Sequence, residues 1–101
     1  YWRAWPPPEV TGLQDDFVTL PETVSRFGSA GLTPVSLIDA SLDDWDRYET
    51  LHWRAAEEWL TEHPQDPDAE EVRTRIERDR DRYLRWQRDL LGWAIIAARK
   101  R

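Results

Sequence analysis

Apolar positions in the middle of the chain recur every three or four residues, while near both ends of that region they run together. In the stretch 43–60, DDWDRYETLHWRAAEEWL, the residues Trp45, Tyr48, His52, Ala55, Ala56 and Trp59 keep helical spacing and predict one face of a long helix over 42–63. Ser41, Asp43 or Asp44 can cap it, since a short polar side chain satisfies N–H groups that the first turn leaves unpaired. The acidic first turn opposes the positive end of the helix dipole. His63-Pro64 ends it, because a proline disfavours helix at the residue before it. A turn at Pro64–Asp68, with Asp66 as cap and Pro67 at the first helical position, opens a second long helix over 67–91. Val72, Ile76, Tyr83, Trp86 and Leu90 trace its narrow apolar side. Its other sides interleave Arg73, Arg75, Arg78, Arg80, Arg82, Arg85 and Arg88 with Glu77, Asp79, Asp81 and Asp89. That pattern reads as a solvated face with i,i+4 ion pairs rather than an anion-binding face.

Upstream, Thr19-Leu20-Pro21-Glu22 is a capping-box pattern, and Leu20, Val24 and Phe27 follow it at helical spacing. With Gly31 as a stop, this predicts a short helix over 20–31. Residues 32–40, LTPVSLIDA, read as a strand with Pro34 near its start, where a missing donor is tolerable. After Gly92, the run WAIIAA predicts a strand over 92–98 buried on both faces. Arg99-Lys100-Arg101 then reads as a solvated basic end. Residues 1–19 read as loop: Pro6, Pro7 and Pro8 hold the chain extended, and Val10–Asp16 is polar with a glycine. Tyr1, Trp2, Trp5 and Arg3 form an aromatic-cationic cluster there, either a polyproline-type ligand for an aromatic groove or a loop packed on its own domain. The fold class is therefore α/β, in the order helix-strand-helix-helix-strand. Two strands do not make a stable sheet alone, and a doubly buried strand needs a neighbour on each side. The 101 residues are expected to be a single partial domain, completed by strands upstream or by another copy.

Composition narrows the function classes. Without cysteine there is neither a disulfide nor a thiolate zinc site. A net charge of −6 argues against nucleic acid as a partner. No apolar run reaches membrane-spanning length and no signal-peptide pattern opens the chain, so a cytoplasmic location and no membrane partner are expected. Seven tryptophans are many for this length, and such large side chains usually pack or bind something. The chain opens on Tyr1 and has no methionine, which suggests a piece processed or cut from a longer protein. Glu49-x-x-His52 has the spacing of half a carboxylate di-metal motif, but it occurs once, so no metal site is assigned. No serine or cysteine sits in a nucleophile motif.

The order YWR…P…helix…GLTPVSLIDAS…DDWDRYE…W…EEWL…HPQDPD…YLRWQRDLLGWAIIAARKR resembles the C-terminal portion of bacterial class I S-adenosylmethionine-dependent methyltransferases. The resemblance spans essentially the whole chain and is carried best by WDRYE, HPQDPD and the closing LGWA. It implies a Rossmann-like sheet of which this chain supplies the last two strands, 32–40 and 92–98, with the two long helices inserted between them. The helix over 20–31 would be the crossover before the first of these, and Tyr1-Trp2-Arg3 the loop after the preceding strand. In such sheets ligands bind at the carboxyl ends of the parallel strands. The resemblance therefore places Tyr1, Trp2, Arg3, Trp45, Tyr48, Glu49 and Trp53 over the methyl-acceptor side. Aromatic faces would orient a small molecule there, and Arg3 or Glu49 would pair with a polar group. Alternatively Trp45 and Trp53 only seal the inserted helices in place. No residue is assigned as catalytic, and none in this chain as binding the cofactor S-adenosylmethionine, because Gly12, Gly28, Gly31 and Gly92 have no G-x-G spacing and the glycine-rich turn is absent. The chain alone is expected to be inactive and to self-associate through its strand edge. A rival reading is a non-catalytic helical interaction module that binds a protein or a second copy through a tryptophan-rich face. The two differ at 93–98, which the rival requires to be helical or packed by helices.

Overall fold

The computed structural model describes residues 1–11 and 17–100. Its elements are α1 (Pro8–Thr11), α2 (Leu20–Ser29), β1 (Leu32–Asp39), α3 (Leu42–Glu62), α4 (Ala69–Arg82), a π-helical turn (Tyr83–Gln87), α5 (Arg88–Leu90) and β2 (Ala94–Lys100). They gather into two compact units: Tyr1–Ala40 with the chain from Asp89 onward, and Ser41–Arg88.

The first unit is built on β1 and β2, which pair antiparallel from Leu32↔Lys100 to Asp39↔Ala94. The register slips between Pro34 and Ser36. Proline has no N–H for the ladder, and a bulge beside it absorbs the gap. Thr19 caps α2, its hydroxyl accepting from the Glu22 N–H at 3.4 Å, and Pro21 sits in the first turn, where no intrahelical donor is needed. Gly31, at φ 79°, turns the chain from α2 into β1 in a conformation that L side chains rarely adopt. α2 packs on β1, and with Ala94 and Ile96 it lines a cavity of about 400 Å³. Cross-strand partners share a face, so Leu37 and Ile96 lie on that side and Ile38 and Ile95 on the other. The second face is open: Ile38 is 62% and Ile95 59% exposed.

Tyr1–Arg3 runs antiparallel beside Leu90–Gly92. The Tyr1 amino group donates to the Gly92 carbonyl at 3.0 Å, the Gly92 N–H to the Tyr1 carbonyl at 2.9 Å, and the Arg3 N–H to the Leu90 carbonyl at 2.6 Å. Trp93, the next residue, accepts from the Ala40 N–H at 2.9 Å. Successive residues of an extended strand direct their backbone groups to opposite edges, so Tyr1 and β1 flank opposite sides of the chain entering β2. Trp2 is buried here, edge-on to Phe17 with ring centres 6.2 Å apart.

In the second unit, Ser41 and Asp44 close a capping box: the Ser41 hydroxyl accepts from the Asp44 N–H at 3.1 Å, and the Asp44 carboxylate from the Ser41 N–H at 3.2 Å. At the other end the His63 ring stacks on Trp59, and its Nδ1 lies 3.0 Å from the Trp59 carbonyl. A carbonyl can only accept, so this bond places a proton on Nδ1. α3 and α4 pack together. The inward stripe of α4 is Val72, Ile76 and Asp79, and it continues into Tyr83 at the start of the π turn, which is only 1% exposed. Trp45 stacks parallel to the Tyr83 ring, and Trp53 meets it edge-on, with centres 6.1 and 6.2 Å away.

The π turn has a clear consequence. The Arg88 N–H bonds the Tyr83 carbonyl five residues back. In an α-helix, positions five apart lie about 140° from each other around the axis, but one π turn brings them over one another. Both then reach the same carboxylate: Asp46 accepts from the Tyr83 hydroxyl at 2.6 Å and from Arg88 at 2.9 and 3.1 Å.

Several expectations change. The chain is not extended through Pro8, which instead opens the short helix α1 from the first helical position, where proline is tolerated. Val10 is helical and buried rather than in a loop; the rest of the 12–16 loop reading lies outside the described residues. On α3, Tyr48, His52 and Ala55 are exposed, and the residues turned inward are Trp45, Glu49, Trp53, Ala56 and Leu60. Both sets satisfy helical spacing, and packing against α4 selects the second. α4 begins at Ala69, not at Pro67. Asp66 does not cap it; its carboxylate accepts from the Asp68 N–H at 2.8 Å and shapes the preceding turn. β2 starts at Ala94 and runs through Lys100, so Arg99 and Lys100 belong to the ladder rather than to a solvated tail. Its residues alternate between half-buried and exposed instead of being buried on both faces, because α2 packs on one face of the pair while Ile38 and Ile95 stay exposed on the other.

The hydrogen bonds from Arg88 and Tyr83 hold the Asp46 carboxyl below the usual carboxylate range. A depressed carboxylate contributes stability that is present above its unfolded pKa and is lost as pH falls through the lowered folded value. Urea melts of Tyr83→Phe are expected to show a loss of about 1–2 kcal/mol at neutral pH, modest because Asp46 and Arg88 are each about a third exposed. Asp46→Asn should flatten the acid limb of stability relative to the parent chain.

Candidate functional site

Two clusters concentrate the polar and aromatic chemistry, one in each unit. In the first, the strand β1 ends at Asp39, whose carboxylate accepts from the Tyr1 hydroxyl at 2.5 Å and from two Arg3 nitrogens at 3.0 and 3.3 Å. Arg3 also reaches the Ala40 carbonyl at 3.5 Å and lies over the Tyr1 ring, 5.5 Å from its centre. The Tyr1 hydrogen bond, with help from the Arg3 hydrogen bond and charge, holds the Asp39 carboxyl below its ordinary range against the opposing effect of burial. Burial and the bond to Asp39 push the Tyr1 phenol up, with Arg3 opposing. Tyr1 is thus a neutral donor and Asp39 a charged acceptor at neutral pH. Tyr1, Trp2, Arg3, Trp5 and Asp39 border a cavity of about 430 Å³, with Leu20 and Pro21 at the start of α2. Trp5 is 82% exposed, so this end of the segment is not packed away.

Gly92 makes the cluster possible. A Cβ at that position would stand 2.5 Å from the Tyr1 ring, 2.6 Å from its hydroxyl and 2.7 Å from an Arg3 nitrogen. Glycine therefore serves close approach here rather than an unusual backbone angle.

In the second unit Trp45 and Trp53 pack on Tyr83 as described above, and Tyr48 is exposed, its ring edge-on to His52 at 5.0 Å. Glu49 lines a groove of about 380 Å³ between α3 and α4 together with Trp53, Val72, Ile76 and Asp79. Burial raises the Glu49 pKa, Asp79 adds to the rise, and His52 opposes it. No group of three or more His, Cys, Asp or Glu side chains arranged to hold a metal occurs among the described residues.

The candidates named from sequence thus fall into two sets. Tyr1, Trp2 and Arg3 come together in the first unit; Trp45, Tyr48, Glu49 and Trp53 lie on α3 in the second. Asp39, the centre of the first cluster, was missed. Its signal was an acidic residue closing an otherwise apolar strand, but only folding brings Tyr1 and Arg3 to it. Among the described residues no helix is long and apolar enough to cross a membrane.

No family model matches the chain. Among curated proteins it is 35% identical over 103 residues to the uncharacterized protein YjhP of Escherichia coli (strain K12), covering 96% of this chain and 42% of YjhP. Among solved structures, a SAM-dependent methyltransferase from Geobacter sulfurreducens in complex with S-adenosyl-L-homocysteine aligns with a TM-score of 0.89 at 36% identity. One from Thiobacillus denitrificans, with the same ligand, aligns at 0.89 and 34%. The X-ray structure of YjhP aligns at 0.90 and 34%. Each alignment covers 100% of this chain but 43–44% of the other protein. The chain is thus similar over its whole length to a part of these SAM-dependent methyltransferases, as a C-terminal portion of a methyltransferase would be, and the resemblance read from its motifs holds. The α/β class holds with it.

Gly92→Ala is expected to push Tyr1 and Arg3 away from Asp39, because the atoms it meets are the far ends of side chains. With both donors displaced, the Asp39 pKa should rise toward the ordinary carboxylate range, measured by carbon-detected NMR titration of the side-chain carboxyl. An unchanged Asp39 titration would show that the cluster is not held through Gly92.

Proposed function

We propose that this chain is the acceptor-side, C-terminal part of an S-adenosylmethionine-dependent methyltransferase acting on a small molecule. The observation that carries this is the alignment of the whole chain, at 34–36% identity, with methyltransferases solved with S-adenosyl-L-homocysteine. The backbone supports the finer arrangement. β1 occupies one edge of β2, and Tyr1 pairs with Gly92 toward the other. An extended segment entering Tyr1 from upstream would run antiparallel along that second edge, as a preceding sheet strand does. In the Rossmann-like reading β2 is then the strand between two neighbours, and α3 and α4 are the helices inserted between the last two strands. The strand conformation of 94–100 also supports this reading over a helical interaction module, which needs helix there.

Methyl transfer depends chiefly on aligning the acceptor in line with the activated methyl group, so positioning carries most of the catalysis. Tyr1, Trp2, Arg3 and Asp39 suit such a role, offering aromatic surface, a neutral donor and a charged pair at the end of a strand. Trp45, Tyr48, Glu49 and Trp53 would supply the helical side of the acceptor site. None of them acts as a general base in this reading. The cofactor would be held by glycine-rich and acidic elements upstream, and no residue of this chain is assigned to it. A cytoplasmic bacterial enzyme is the corresponding setting.

Incubated with S-adenosylmethionine and candidate acceptors, the 101-residue chain is expected to release no S-adenosylhomocysteine and to show no micromolar Kd for the cofactor. The reading frame upstream of Tyr1 should encode an apolar strand, a G-x-G turn and an acidic residue about twenty positions on. Tight cofactor binding by the chain alone, or an upstream frame without that motif, would overturn the reading. The open β2 edge and the exposed Ile38–Ile95 face are further expected to drive self-association. Sedimentation equilibrium should report a dimer at high concentration, and a monomer throughout would count against it.

A further inference from the structure

We infer that the groove between α3 and α4 is a binding site for a small organic cation with an apolar body, such as an aryl-alkyl amine. This inference concerns binding alone and stands whether or not the protein transfers methyl groups. Two helices packed as a pair bury apolar stripes, and α3 and α4 do so with Trp53, Ala56, Val72 and Ile76. At Glu49 and Asp79 the pattern is broken. Each lies one or two turns from those residues, half-buried on the inward stripe, and each lines the same groove. Two carboxylates at positions that packing would fill with leucine or valine weaken the helix pair, because they replace apolar contact with charged groups. Burial indeed raises the Glu49 pKa, with Asp79 adding to it.

Of the surrounding groups, His52 at the edge of the groove offsets part of the burial of Glu49 but does not bond it. Among the described residues its carboxylate has neither a hydrogen bond nor an ion pair. The Arg75 guanidinium, also at the groove, bonds Glu71 at 3.1 Å, and Asp79 has only loose contacts, 3.9 Å to Arg78 and 4.0 Å to Arg82. His52 is exposed and turned edge-on to Tyr48. A bound ammonium would supply the missing charge.

The rest of the groove fits the body of such a ligand. Its volume of about 380 Å³ lies in the range of small-molecule sites, which are mostly apolar with a few placed polar groups. Trp53 brings an indole, whose face attracts cations. The Arg80 guanidinium lies 5.8 Å from the centre of that ring, so a ligand cation would have to share or displace this contact. An anion would face two carboxylates. A neutral ligand would leave the charge of Glu49 without compensation.

The test uses the 101-residue chain with phenethylamine, and with 2-phenylethanol as a neutral probe of the same shape, followed by calorimetry and by the Trp53 indole N–H in proton–nitrogen NMR spectra. Phenethylamine is expected to shift that signal and to bind at least about tenfold more tightly than the alcohol. Glu49→Gln should remove most of the difference, and Asp79→Asn part of it. Circular dichroism of both variants checks that the helices persist, and Arg73→Gln, outside the groove and paired with Glu70, should bind like the parent. Equal binding of amine and alcohol, shifts confined to other tryptophans, or Glu49→Gln binding as the parent with helicity intact would each overturn the assignment.

Discussion

The antiparallel pairing of β1 with β2 is the constraint on which the architecture depends. It joins Leu32 to Lys100 and Asp39 to Ala94 across everything between them in the chain. The entropic cost of closing a loop rises only slowly with its length, so a pair of helices can be carried between adjacent strands at little extra cost. Just beyond the paired residues the Ala40 N–H donates to the Trp93 carbonyl at 2.9 Å. Among the described residues the pairing leaves one sheet face of the first unit exposed at Ile38 and Ile95. A two-stranded pair is marginal in water, and the buried apolar residues of that unit among those described are Trp2, Val10, Ala40 and Leu91.

The second unit meets a different problem, since a helix with so many charges has little apolar surface to offer. α4 is charged on most sides, with arginines ion-paired to acids three or four residues away, contacts worth little each at the surface. Its stability rests on one narrow stripe that ends in Tyr83, around which Trp45 and Trp53 close. The π turn after Tyr83 is the local distortion that lets Tyr83 and Arg88 share Asp46. Such turns cost regular hydrogen bonding and recur at functional places in helices. Here the visible return is a satisfied phenol at Tyr83, the most buried of the described side chains.

The two units use carboxylates in opposite ways. Asp39 and Asp46 are each held by a tyrosine hydroxyl and an arginine, which keeps them charged and makes them points of rigidity. Glu49 lies on an inward stripe without such partners, and its environment resists its charge. A satisfied carboxylate organises structure, whereas an unsatisfied one at a groove is available to a ligand. Residue type alone does not distinguish the two cases.

The helices and strands were legible in the sequence because local chemistry dictates them. Ser41 and Thr19 are capping residues by their side-chain oxygens, His63-Pro64 and Gly31 are stops by backbone geometry, and the apolar runs at 32–40 and 92–98 have strand composition. The motifs also carried the methyltransferase resemblance. What the sequence left undecided was every choice between alternatives of equal local merit. Both Tyr48–His52–Ala55 and Glu49–Trp53–Leu60 obey a helical period, and only packing against α4 chose the second. Asp66 was the expected cap, but its carboxylate shapes the preceding turn and the helix starts at Ala69. Asp39 looked like the end of a strand until folding brought Tyr1, Arg3 and Gly92 around it. Spacing along a chain fixes which residues share a face; which face is buried, and which charged groups meet, depends on partners far away in sequence that only the tertiary structure supplies.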